Sequence, residues 1–74
     1  MMIFVFQSTR AVITAEKLCR EARLPCRVLP VPRSVSPRCG MALEMEASLE
    51  KRARELFKGA GLVISAFDKD DVEL

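Results

Sequence analysis

Apolar residues run without interruption from Met2 to Phe6 (Met-Ile-Phe-Val-Phe), the pattern of a central strand covered on both faces. Ser8 and Thr9 follow, offering hydroxyls that can cap a helix. Beyond them Ala11, Val12, Ala15, Leu18, Cys19 and Ala22 recur at helical spacing, while Arg10, Glu16, Lys17, Arg20 and Arg23 fall between them. This pattern predicts an amphipathic helix of about four turns that stops before Pro25. Cys26 to Val31 predicts a second strand. Pro30 and Pro32 at its end place it on a sheet edge, since proline cannot donate to a ladder. Three prolines (Pro30, Pro32 and Pro37) then stiffen the segment PVPRSVSPR over residues 30–38.

Residues 40–45 predict a third strand. Ser48 is the expected cap of a second helix whose inner face carries Leu49, Ala53, Leu56, Phe57 and Ala60, with Gly61 as its stop. Residues 62–67 predict a fourth strand. The order β-α-β-β-α-β, with right-handed crossovers, predicts an α+β ferredoxin-like sandwich: a four-stranded antiparallel sheet with both helices on one face. A partly parallel sheet, or strand exchange in a dimer, are the alternatives. One domain is expected over residues 1–67, followed by an acidic, frayed tail at 68–74.

With 74 residues, a domain of this size buries only roughly 60% of the surface its unfolded chain exposes. The four aromatics are all Phe, which leaves little for stacking on bases. No histidine is present, which excludes Cys-His and Ser-His nucleophile pairs and the commonest metal ligand. Cys19, Cys26 and Cys39 show no CxxC spacing, so no metal site is expected, and no cofactor loop is legible. The apolar start MMIFVF is short for a signal peptide and no stretch reaches roughly 18 apolar residues, so a cytoplasmic location is expected. There thiols stay reduced, and an odd cysteine count leaves at least one free under any pairing.

The net charge of +2 conceals an asymmetry. Residues 10–38 carry seven basic side chains against Glu16 and Glu21, while residues 44–74 carry eight acids against five bases. The basic half suits an anion, a nucleic acid or an acidic partner.

Cys39 is where the predicted topology concentrates chemistry. The third strand lies antiparallel beside the first, so Cys39 and Gly40 should neighbour Phe6 and Gln7, where the first helix also begins at Ser8, Thr9 and Arg10. A helix N-terminus presents free N–H groups and roughly half a positive charge. With Arg10, Arg33 and Arg38 it would favour a thiolate, the reactive form of a group that otherwise titrates near about 8.5. Gly40 leaves room for an approaching molecule. The competing reading makes Cys39 a small residue filling a corner. Cys19 and Cys26 are expected at the opposite end, on the order of 15 Å away at about 3.3 Å per strand residue, which argues against a disulfide with Cys39.

Phe6-Gln-Ser-Thr before a helix carrying Ala15-Glu-Lys-Leu18, then Leu29-Pro-Val-Pro-Arg33 and Cys39-Gly-Met-Ala-Leu43, resemble a family of small bacterial selenium/sulfur carrier-like proteins. The resemblance spans roughly residues 3–67, and PVPR followed by CG is its most specific part. It implies a cysteine that bears sulfur or selenium as a persulfide-like group, here Cys39, with Arg33 in the PVPR motif. It also implies a more serine-rich segment where this chain has Ser36-Pro37-Arg38, and an aliphatic residue in place of Cys26.

The leading expectation is therefore a carrier or accessory protein rather than a stand-alone enzyme. Cys39 would hold the cargo, Arg33, Arg38, Arg10, Ser8, Thr9 and Gly40 would form its anion-stabilising surroundings, and donor and acceptor proteins would be its partners. The alternative is a binding module that recognises an anion or a protein through Arg10, Arg33 and Arg38. RNA binding through the basic face is disfavoured by the few aromatics and modest charge. Exposed edge strands leave a homodimer open.

Overall fold

The computed structural model describes residues 1–71. Its elements are β1 (Met2–Phe6), α1 (Thr9–Glu21), β2 (Arg27–Pro30), β3 (Met41–Met45), α2 (Glu50–Gly59) and β4 (Ile64–Asp68). The sheet order is β2-β3-β1-β4 and every pairing is antiparallel. This is the ferredoxin-like arrangement expected from the element order. β2, which ends in Pro30, lies at an edge.

Alternation along β1 divides the interior in two. Met2, Phe4 and Phe6 join Leu43 and Met45 of β3 beneath the helices, which contribute Val12, Ala15 and Cys19 from α1 and Ala53 and Phe57 from α2. Phe57 lies edge-on to both Phe4 and Phe6, with ring centroids 5.5 and 5.4 Å away. Ile3, Val5 and Ala42 point to the opposite face, where Val31 and Val35 of the β2–β3 loop cover them, flanked by Leu29 and Phe67. The proline-rich loop thus supplies the second cover that β1's unbroken apolar run demands.

The first helix begins as expected. Ser8 is extended and its Oγ accepts the Ala11 N–H at 3.1 Å. It ends in a six-to-one turn, with Leu24 N–H donating to the Cys19 carbonyl (2.8 Å) and Arg23 N–H to Arg20 (3.2 Å). Arg23 occupies the left-handed position of this turn at φ 60, where glycine usually stands. Arg23→Gly should therefore raise stability by about 1 kcal/mol, measured as a shift in the denaturant midpoint at unchanged slope. The same turn closes α2, with Gly61 in the left-handed position (φ 76), so Gly61 is the stop that was expected. Ser48 is not the cap of α2. It lies inside a short 3₁₀ turn (Ala47–Leu49) that α2 continues, and Leu49 precedes the helix with no side-chain cap. Ala60, expected on the inner face, is exposed.

Glu44 interrupts an otherwise apolar β3 and is 5% exposed. Arg27 Nη2 donates to its Oε1 at 2.8 Å and Lys69 Nζ to its Oε2 at 2.5 Å. The Lys69 hydrogen bond, together with the charges of Lys69 and Arg27, outweighs the effect of burial and holds the carboxyl below its usual range. A carboxylate depressed on folding adds stability above its unfolded pKa, about 4.3, and that stability is lost as pH falls through the folded value. Glu44→Gln should cost about 1–3 kcal/mol at neutral pH, and urea midpoints of the two proteins should converge in acid.

Lys69 N–H also donates to the Met1 carbonyl at 2.8 Å. Of the tail expected to fray from residue 68, Asp68 ends β4 and Lys69–Asp71 form a short 3₁₀ turn held by these contacts. Residues 72–74 of that expectation lie outside the described residues.

Candidate functional site: the Cys39 loop

Residues 31–40 form two consecutive turns closed on themselves. The Pro32 carbonyl accepts from Val35 N–H (2.9 Å) and Ser36 N–H (3.0 Å), and the Ser36 carbonyl accepts from Gly40 N–H (2.9 Å). Val31 N–H donates to the Gly40 carbonyl at 3.0 Å and pins the base. Arg33 Nη1 reaches across to the Pro37 carbonyl at 3.2 Å, so this guanidinium braces the loop. Fixed φ angles at Pro32 and Pro37 reduce the entropy lost in holding this shape.

Cys39 stands at the end of the second turn and is half-buried. Its Sγ lies 3.2 Å from Ser36 Oγ, 3.2 Å from the Met41 carbonyl oxygen and 3.8 Å from the Phe6 carbonyl oxygen. A thiol has one proton and the two carbonyls can only accept. In the neutral state that proton points to the nearer carbonyl, Met41, and the Ser36 hydroxyl donates to sulfur. Ser36 is 1% exposed, the most buried hydroxyl among the described residues, and composition alone did not mark it. The legible signal was its place three residues before a cysteine within a tight, proline-bounded turn.

The expected neighbourhood of Cys39 and Phe6 is present. Gly40 has φ 66, where the backbone favours glycine, and a Cβ built on it would meet nothing within 4 Å. Arg38 lines a cleft of about 200 Å³ with Phe6, Gln7, Pro37 and the start of β4 at Ile64 and Ser65. Those β4 residues were not among the expected site residues, because only the sheet order brings them beside β1. Ser8 is engaged as the α1 cap. Thr9 and Arg10 lie exposed in the first turn of α1, and among the described residues no hydrogen bond joins either to Cys39.

The chain matches the family described as "Putative Se/S carrier protein-like" over residues 1–68. It belongs to that family. No curated protein matches it, and no solved structure does. The family's description concerns the carriage of selenium or sulfur, and a carrier needs an atom to hold its cargo. In this member the three thiols differ in setting. Burial, with Cys26 and Glu16 adding to it, pushes Cys19 up to about 12, and burial also raises Cys26. Cys39 alone stands in the PVPR–CG loop, next in sequence to Arg38, which lines the cleft at the end of β1. Among the described residues no group of three His, Cys, Asp or Glu side chains is placed to hold a metal. No helix there is long and apolar enough to cross a membrane.

Proposed function

We propose that Cys39 is the carrier atom, holding one sulfur or selenium as a persulfide-like group between a donor protein and an acceptor protein. The observation that carries this reading is the setting of its Sγ, half-buried and hydrogen-bonded to a buried serine hydroxyl beside Gly40.

Loading begins when the thiol proton leaves to solvent and the Ser36 hydroxyl remains as donor to the thiolate. The helix N-terminus at Ser8 and Thr9, with Arg10, adds positive potential on the same side. The thiolate attacks the terminal sulfur of a donor persulfide R–S–SH, forming Cys39–S–SH and expelling R–S⁻. Arg38 in the adjoining cleft faces the charge of the terminal sulfur when it ionises. Arg33 keeps the loop in register through Pro37. Unloading repeats the exchange: an acceptor thiolate attacks the terminal sulfur and Cys39 departs as thiolate. The donor sulfur is reduced as the acceptor sulfur is oxidised, so the exchange needs no external oxidant or reductant, and no separate base is required once the thiolate is present.

A second reading is favoured by one observation. Sγ has three hydrogen-bonding neighbours within the chain and so also suits a strut that shapes the loop. Arg10, Arg33 and Arg38 would then bind an anionic ligand or an acidic protein surface without sulfur chemistry.

Exposure of the reduced protein to a low-molecular-weight persulfide, followed by peptide mass spectrometry, separates the two. Added sulfur should appear first at Cys39, more slowly at Cys26, and not at Cys19. If Cys39 stays unloaded while Cys26 reacts, the carrier reading fails and the binding reading takes its place.

A further inference from the structure

The two remaining thiols lie together, at the other end of the sheet from Cys39, and the carrier cycle uses neither. Cys19 is fully enclosed on the inner face of α1. The turn after α1, closed by Leu24 N–H on the Cys19 carbonyl, swings the chain back over that residue and buries Leu24. Two residues on, Cys26 packs against the core cluster that contains Cys19, near enough for each thiol to act on the other's ionisation. Cys26 is half-buried, and it lines a cleft of about 380 Å³ with Glu16, Arg20, Arg23, Leu24 and Pro25.

We propose that Cys26 and Cys19 are a reversible dithiol–disulfide pair, entered through the Arg20–Arg23 cleft by anionic low-molecular-weight disulfides of the glutathione type. Cys26 is the entry thiol because it opens on the cleft, and Cys19 is the resolving thiol because only Cys26 reaches it. The ionised Cys26 sulfur attacks one sulfur of R–S–S–R, forming Cys26–S–S–R and releasing R–S⁻, which takes up the proton that Cys26 lost. Cys19 then gives up its proton and attacks Cys26 Sγ, closing the protein disulfide and releasing the second R–S⁻. Two protein thiols are oxidised and one small disulfide is reduced to two thiols, so the exchange balances.

The ligand class follows from charge. Arg20 and Arg23 stand at the cleft against Glu16, which pairs loosely with Arg20 at 3.6 Å, leaving net positive charge beside the entry sulfur. Burial, and Glu16 for both thiols, keep the pair protonated at neutral pH, so the exchange is slow there and quickens as pH rises. Arg27 and Glu44, which face Cys26 across a second cleft, are engaged with one another.

The test uses the full chain carrying Cys39→Ser, so that the outcome is independent of the carrier reading. Reduced protein is incubated with glutathione disulfide at mildly alkaline pH, alkylated and mapped by mass spectrometry. The expected product is a monomer lighter by two hydrogens with the Cys19 and Cys26 peptides joined. Adding Cys19→Ala should halt the reaction at one glutathionyl group on Cys26, and adding Cys26→Ser instead should leave Cys19 unmodified. The proposal is overturned by a lasting glutathionyl adduct on Cys26 while Cys19 is present. A covalent dimer, two unreacted thiols in protein with a native circular-dichroism spectrum, or modification of Cys19 in the Cys26→Ser protein would overturn it equally.

Discussion

Cys39→Ser should abolish sulfur loading in the loop while leaving the fold almost unperturbed. A serine hydroxyl can donate to the Met41 carbonyl and accept from Ser36, so the hydrogen bonds that hold the turn survive. A stability change within about 1 kcal/mol is expected. The chemistry is lost outright, because a hydroxyl neither ionises near neutral pH nor forms a chain of sulfurs. Cys39→Ala makes the contrasting control. It removes the partner of Ser36, whose 1% exposure leaves little access to water, and should cost about 1–3 kcal/mol. Persulfide loading by mass spectrometry and urea denaturation of both variants check the pair. Undiminished total sulfur loading of the Cys39→Ser protein would place the carrier atom at another cysteine. Equal stability of the serine and alanine variants would mean that the Ser36–Cys39 contact contributes nothing to the loop.

Phe57→Ala should be the most damaging single truncation in the core. Phe57 is fully enclosed and contacts Phe4 and Phe6 edge-on, joining α2 to the central strand. Removing a buried phenylalanine ring costs about 3–5 kcal/mol through lost transfer energy and the cavity left behind, and each aromatic pair adds about 0.5–1.5 kcal/mol beyond its area. A chain of this length has a total stability of about 4–11 kcal/mol, so the variant should lose about a third of it or more. Its melting temperature should fall by roughly 15–30 °C. Phe67→Ala, on the half-buried β4 at the other edge of the sheet, should cost much less. A Phe57→Ala midpoint within about 1 kcal/mol of the parent would show that α2 is held mainly by other contacts.

Cys39 lies at the opposite end of the sheet from Cys19 and Cys26, and its loop links it to folding. Val31 and Val35 cover Ile3, Val5 and Ala42, and the next residue, Ser36, holds Cys39. A substitution that loosens the loop from the sheet therefore loosens the cysteine as well, even where it touches no polar atom of the site.

Local pattern was enough for the order of elements, the α1 cap at Ser8, the stop at Gly61 and the edge position of β2. Each depends on interactions within a few residues: helical spacing, a hydroxyl beside free N–H groups, a positive φ that suits glycine, a proline without a donor. The same level of information misjudged Ser48, because a 3₁₀ turn took up the residues that a cap would have occupied. It also passed over Arg23, where the chain accepts a strained arginine at a position that usually holds glycine. The PVPR–CG loop pointed to Cys39 and to the family, but its neighbours came from strands and turns remote in sequence. Ser36 was a loop residue until the turn buried it. Ile64 and Ser65 entered the Arg38 cleft because β4 pairs with β1, and Glu44 gained Lys69 because β4 delivers it across the sheet. Cys26 came to pack on the core around Cys19 because the α1–β2 turn folds back. Residue type and spacing determine which segments form and which side chains carry chemistry. Strand pairing and chain reversal decide which of those side chains meet, since that depends on the packing of the whole domain.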